Sequence, residues 1–208
     1  MNSFEADLKR ALFSPLFVFG VIVMLYIINK MSVNSDLFKI CVPVVASLPY
    51  STAWIKDKRS GFIKLYLIRT KEMDYILGKI LACAISSGLI ISLPIWIYDK
   101  YMAEMEQESA YVIFFLVGAL WGCVSAVLAV WTNNSCVAYG GAFVICYLLI
   151  ILCERYMQNL YCIYPYEWMF PQKQWVFEEN GRRILLVGFI VVVMCIYYEL
   201  VRRRIKDA

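Results

Sequence analysis

Six apolar runs separated by short charged stretches dominate the sequence, at residues 15–30, 38–54, 76–98, 111–132, 136–153 and 183–200. A helix rises about 1.5 Å per residue, so roughly 20 apolar residues cross the hydrocarbon of a bilayer. In hydrocarbon each backbone N–H and C=O must be satisfied within its own segment, and runs of this kind therefore fold as helices. With 62% hydrophobic and 17% charged residues, the chain holds more apolar side chain than a core of 208 residues can bury. The expectation is an all-α integral membrane protein with six transmembrane helices, forming a single transmembrane domain over 1–208. A soluble globular fold, a disordered tail and a nucleic-acid partner are excluded. The lack of histidine removes most metal-centred and histidine-based catalysis.

No run of small residues follows the first apolar run as a signal-peptidase site requires, so it reads as a retained span. An even number of spans puts both termini on one side. That side also takes the 55–75 loop and the short turn at 132–135, and it collects thirteen of the twenty Lys and Arg residues, from Lys9 to Lys206. The other side has seven cations against nine acids, with Glu104, Glu106 and Glu108 close together. Cytoplasmic loops carry the excess of Lys and Arg, so both termini are expected in the cytoplasm and the chain in the cell membrane.

Seven of the eight cysteines lie in or at the ends of spans, and Cys162 alone sits well inside an outer loop. No CxxC-like ligand spacing occurs, so the cysteines read as small buried hydrophobes, with neither a disulfide framework nor a metal site expected. Polar residues within the spans are sparse and uncharged: Ser47, Ser51, Thr52, Ser86, Ser87, Ser92 and Ser125. Ionisable groups at membrane depth mark ion or proton routes. Lys39, Lys79 and Glu199 lie near span ends and read as snorkelling side chains, which disfavours proton or sodium coupling. Ser86-Ser87-Gly88 reads as a site of close helix contact.

Residues 1–14 predict an amphipathic helix in the membrane interface. Phe4, Leu8, Ala11 and Leu12 share one face, Lys9 and Arg10 point away, and Pro15 opens the first span. A solvated N-terminal extension is the plainer alternative. The 55–75 loop is too charged to cross a membrane, yet Phe62, Ile63, Leu65, Tyr66, Leu67 and Ile68 make it too apolar for a linker. Gly61 breaks the helix that runs on from Trp54. A short helix over about 62–69 then puts Phe62, Leu65, Tyr66 and Arg69 on one side. Such an apolar knob in a basic rim suits docking to a cytosolic partner, or a basic anchor on anionic lipid.

The run Lys58-Arg-Ser-Gly-Phe-Ile-Lys-Leu-Tyr-Leu-Ile-Arg-Thr, followed by Tyr75-Ile-Leu-Gly-Lys79, resembles the cytoplasmic loop of type-2 exporter permeases of the ATP-binding-cassette (ABC) class. Those permeases have a charged pair, a glycine, a short coupling helix and a glycine–lysine opening the third span. The resemblance extends to the whole layout. It departs in two places: Lys58-Arg59 stands where the family usually has arginine–glutamate, and the proline that often follows the coupling helix is absent. The resemblance implies that Arg59, Gly61, Phe62, Leu65, Tyr66, Arg69 and Thr70 engage a separately encoded cytosolic ABC ATPase. This chain has no G-x-x-x-x-G-K-[ST] loop, so ATP and Mg belong to that partner, and no cofactor or catalytic residue is expected here.

The outer segment 154–182 concentrates aromatic side chains, among them Tyr164, Tyr166, Trp168, Phe170 and Trp175. Tyrosine and tryptophan favour the headgroup level. The composition predicts two short re-entrant or interfacial helices broken near Pro171, acting either as an outer gate that meets substrate or as an anchoring belt. Residues 183–208 supply the sixth span and a basic tail.

The resulting expectation is a permease subunit of an ATP-driven exporter. It pairs with a second copy, most simply as a homodimer, and moves an amphipathic or apolar peptide, lipid or drug. The alternatives are the substrate-capture membrane subunit of a vitamin importer and a non-transport anchor or immunity protein. An enzyme is disfavoured, because no paired carboxylate or activated nucleophile stands in a span.

Overall fold

A computed structural model of the chain describes residues 3–31, 33, 35–63, 72–102, 109–157, 161–172, 175 and 178–206. Among these residues there are helices and no strands: α1 (Ser3–Leu12), α2 (Pro15–Met31), α3 (Asp36–Ser47), α4 (Ala53–Arg59), α5 (Glu72–Met102), α6 (Ser109–Thr132), α7 (Ser135–Arg155), α8 (Pro165–Met169) and α9 (Glu178–Lys206). A single 3-10 turn, Tyr161–Ile163, precedes α8. Four of them (α5, α6, α7 and α9) are long and apolar enough to cross a membrane, and the bent pair α1–α2 makes a fifth if it is one span.

Local chemistry sets the helix ends. Ser14 caps α2: its Oγ accepts the Phe17 N–H at 3.1 Å, and Pro15 takes the first helical position, where its missing N–H costs nothing. The chain bends by 50° there, between α1 and α2. Ser35 caps α3 by accepting the Phe38 N–H at 3.3 Å, and Asn134 caps α7 through Cys136 N–H at 2.9 Å. At the C-terminus of α6, Arg204 of α9 donates from Nη2 to the Trp131 carbonyl at 2.9 Å, a cation placed at the helix's negative end.

The predicted second span, 38–54, is not one continuous helix. α3 stops at Ser47, the chain turns through 48–52, and α4 resumes at Ala53. Pro49 has no N–H to continue the ladder. The turn is tightened by Leu48 N–H on Val45 O (3.1 Å) and Ala53 N–H on Tyr50 O (3.1 Å). Buried hydroxyls take up carbonyls where the ladder breaks: Ser47 Oγ donates to Val44 O at 2.6 Å and Ser51 Oγ to Ser47 O at 2.5 Å. Two of the serines that look like sparse span polarity, Ser47 and Ser51, are the fittings of this break.

α6 is the hub, packing against α3, α5, α7, α8 and α9. Its closest neighbour is α5. Gly118 and Gly122, one turn apart, lie so near α5 that a Cβ on Gly118 would sit 2.5 Å from Ser87 O and one on Gly122 2.1 Å from Ser87 Oγ. Small residues at such spacing let two backbones approach, and dispersion and hydrogen bonds between helices then replace the missing hydrophobic drive in lipid. Cys83 Sγ on Gly122 O (3.5 Å) is one such contact. Ser125 adds another, donating to the Ala138 carbonyl of α7. Outward, α2 and α9 leave Val18, Phe19, Ile22, Val191 and Val192 about half exposed, a surface suited to lipid tails.

The predicted interfacial helix forms as α1, but protein covers its apolar face. Ala11 is fully buried, Phe4, Leu8 and Leu12 pack against the core, and α1 lies along α5.

Candidate functional site

At one end of the bundle, three elements bring charge together inside the protein. Asp7 projects from α1, Asp57 from α4 and Lys79 from the second turn of α5. Lys79 Nζ lies 2.6 Å from Asp57 Oδ2 and 3.5 Å from Asp7 Oδ1, with only 2% of its side chain exposed. Tyrosine hydroxyls complete the set: Tyr50 O–H donates to Asp7 Oδ1 at 2.5 Å and Tyr75 O–H to Asp57 Oδ2 at 3.1 Å. The same two rings face the ammonium, their centroids 5.5 and 5.0 Å from Nζ. Each carboxylate thus has both a cation and a phenol donor, which is what a buried ion pair needs to offset lost hydration.

This cluster corrects the snorkelling assignment of Lys79. The side chain turns inward because two carboxylates from distant parts of the sequence meet it there. In the sequence Asp7 stands only as an acid in the first turns of a helix and Asp57 as one charge among the lysines and arginines of the 55–75 loop. The signal that could have found them is Asp7 itself, which lies beside Phe4, Leu8 and Ala11 on the apolar side of α1.

The cluster abuts the predicted docking loop. Arg59 ends α4 and is exposed. Gly61 takes φ +69°, the left-handed conformation that ends a helix at little cost only in glycine, and its N–H donates to Lys58 O at 3.3 Å. Phe62 and Ile63 begin a further helical turn. The Arg10 guanidinium of α1 sits 5.7 Å over the Phe62 ring, tying the N-terminal helix to the loop. Leu65, Tyr66, Arg69 and Thr70 lie outside the described residues.

The outer aromatic set gathers at the opposite end. Trp168 of α8 is buried between Trp121 of α6 (centroids 6.2 Å) and Phe189 of α9 (5.9 Å), and its Nε1–H donates to Cys162 O at 2.8 Å. Phe170 meets Phe114 at 5.7 Å, and Tyr166 and Phe170 flank the Lys39 ammonium at 5.2 and 5.4 Å. Trp175 is also buried. Tyr164 donates to Glu154 Oε1 at 2.9 Å, and burial, then this bond to a carboxylate, pushes its phenol up from its usual range. One short helix ends just before Phe170–Pro171 where two helices were expected, and residues 173–174 and 176–177 lie outside the described residues. A headgroup-level belt does not describe Trp168, which the bundle encloses.

α3 links the two ends. Phe38, at its start, stacks edge-on to Phe114 beside the aromatic set (6.1 Å), while Tyr50, just past its end, reaches Asp7.

Compared with protein families, curated proteins and solved structures, the chain matches none. The functional reading therefore rests on its own residues.

Proposed function

We infer that this chain is the membrane subunit of an ATP-driven exporter of the type-2 ABC class, driven by a separately encoded ATPase that docks on the Arg59–Thr70 loop. The observation that carries this reading is the 2.6 Å contact between Asp57 and Lys79. The loop begins where α4 ends, two residues after Asp57, and ends where α5 begins, seven residues before Lys79. A push on it therefore acts on two helices already joined by a buried ion pair. From α5 the close Ser87–Gly118–Gly122 packing leads to α6, and Trp121 of α6 touches Trp168 at the far end. Packed elements with two discrete arrangements can transmit such a displacement.

The fuller reading has six passes with both termini cytoplasmic in the cell membrane. Two features favour it. α3 and the turn after it touch residues at both ends of the bundle, as a pass must. The Lys and Arg excess lies at the end that holds both α1 and the C-terminus of α9. The exposed apolar faces, and the lack of a uniformly charged face among the described residues, favour an amphipathic or apolar substrate, carried between two copies related by a twofold axis, the commonest oligomer symmetry.

Affinity capture tests the docking site. The intact chain is expected to retain an ABC ATPase from its native membrane, and Phe62→Asp or Leu65→Asp to lose it while folding normally. Retention of the ATPase by both variants overturns the site assignment.

A further inference from the structure

Beside the charge cluster lies a pocket of about 360 Å³, lined among others by Arg10, Ser14, Thr52, Lys56 and Asp57. That is many times the roughly 30 Å³ share of one water molecule, so the space admits a headgroup rather than a single ion. The acids nearby are already engaged: Asp57 with Lys79 and Tyr75, and Asp7 with Tyr50 and Lys79. Two carboxylates against the three cations Arg10, Lys56 and Lys79 leave one positive charge, carried at the exposed rim by Arg10 and Lys56. Arg10 is held in place over the Phe62 ring at 5.7 Å. Ser14 Oγ accepts from Phe17 N–H at 3.1 Å, which leaves its own O–H to donate.

One further feature says what enters the pocket. From Ser14 the i, i+4 row up α2 runs through Val18, Ile22 and Tyr26, and these three are 53%, 59% and 66% exposed. Phe13, at the corner before Ser14, is 85% exposed. A singly charged, hydrogen-bonding pocket thus opens at the foot of a continuous apolar ridge. The geometry points to a site for an anionic glycerophospholipid, its phosphodiester between Arg10, Lys56 and the Ser14 hydroxyl and its acyl chains along Val18, Ile22 and Tyr26. A phosphodiester carries one negative charge, matching the one the pocket lacks, and Arg offers it paired donors. A bound lipid here would also brace α1 against the 48–52 turn, the two walls of the pocket.

The test uses the full chain purified in neutral detergent, with its thermal midpoint read against added phosphatidylglycerol, phosphatidylcholine or free glycerol phosphate. Phosphatidylglycerol is expected to raise the midpoint, with the other two giving little shift. In the R10Q/K56Q variant the apparent affinity for phosphatidylglycerol falls at least about tenfold. The single variants R10Q and K56Q fall part-way and carry the result if the double variant fails to fold. K9Q, whose lysine points away from the pocket to Glu5, keeps the wild-type response. Equal shifts from phosphatidylcholine, or an unchanged phosphatidylglycerol response in R10Q and K56Q, overturn the site. A shift from glycerol phosphate as large as that from the lipid overturns the lipid and leaves a soluble phosphate compound as the ligand.

Discussion

Lys79 of α5 and Asp57 of α4 form an ion pair of 2.6 Å whose cation is 2% exposed. The pair joins the helix that ends at Arg59 to the helix that begins at Glu72, so whatever binds the stretch between them acts on a joined base. Asp7 brings the N-terminal helix into the same contact at 3.5 Å.

Removing the cation alone should be severe. Lys79→Met leaves two buried carboxylates facing each other and is expected to cost about 3–5 kcal/mol of unfolding free energy. Replacing Asp57 as well, in D57L/K79M, should recover only part of that loss, because Asp7 stays buried without its cation. A double-mutant cycle on the unfolding midpoint in micelles checks this. A loss in D57L/K79M equal to the sum of the D57L and K79M losses would show that the pair is not coupled.

The helix pair α5–α6 predicts a contrast among glycines. Gly118→Ala drives a methyl to 2.5 Å from a backbone oxygen that cannot rotate away, and overpacking of this kind costs about 1–3 kcal/mol. Gly122→Ala meets the Ser87 side chain instead, so adding Ser87→Gly should restore it. Gly140→Ala and Gly188→Ala meet nothing within 4 Å and should be neutral or slightly stabilising, since alanine loses less backbone entropy in a helix. Thermal midpoints of the variants separate the groups.

Trp168 fastens the outer segment to the bundle. Trp168→Phe keeps a ring between Trp121 and Phe189 but leaves the Cys162 carbonyl without its 2.8 Å donor, an expected loss of about 1 kcal/mol. Trp168→Ala empties the site and should cost about 3–5 kcal/mol. Denaturant midpoints should rank the two in that order. Equal effects would mean that the indole N–H, rather than the ring, supplies the attachment.

Much of the helical layout was legible because it depends on local pattern. Pro15 and Gly61 mark ends that the structure keeps, and the runs at 76–98, 111–132 and 136–153 keep theirs to within about a turn. α5 extends to Glu72 and Met102, and α9 runs unbroken through the basic tail to Lys206. Pro43 and Pro49 mark the second apolar run for a kink, but the full break after Ser47 was not legible, since apolar composition continues through it and serine hydroxyls take up carbonyls where the missing Pro49 N–H breaks the ladder. The charge cluster was hidden for a different reason. Asp7, Asp57 and Lys79 are far apart along the chain, and each alone looks like an ordinary charge near a helix end. Trp168 likewise reads as an interfacial aromatic until Trp121 and Phe189 are seen around it.

Orientation has its own test in two native thiols. Cys162, half-buried, lies at the aromatic end, and Cys136, exposed, at the start of α7 at the opposite end. With both termini cytoplasmic, a membrane-impermeant maleimide should label Cys162 in intact cells and Cys136 only after permeabilisation. Single-cysteine variants make the comparison clean. The reverse pattern would invert the topology.

The most direct test of the exporter reading is transport by the chain reconstituted in vesicles with its captured ATPase. The account predicts substrate-stimulated ATP hydrolysis and ATP-dependent movement of an amphipathic substrate across the bilayer. It also predicts that D57L/K79M, folded and still bound to the ATPase, hydrolyses ATP but moves substrate poorly. A wild-type complex that neither hydrolyses ATP in response to substrate nor moves it would contradict the account.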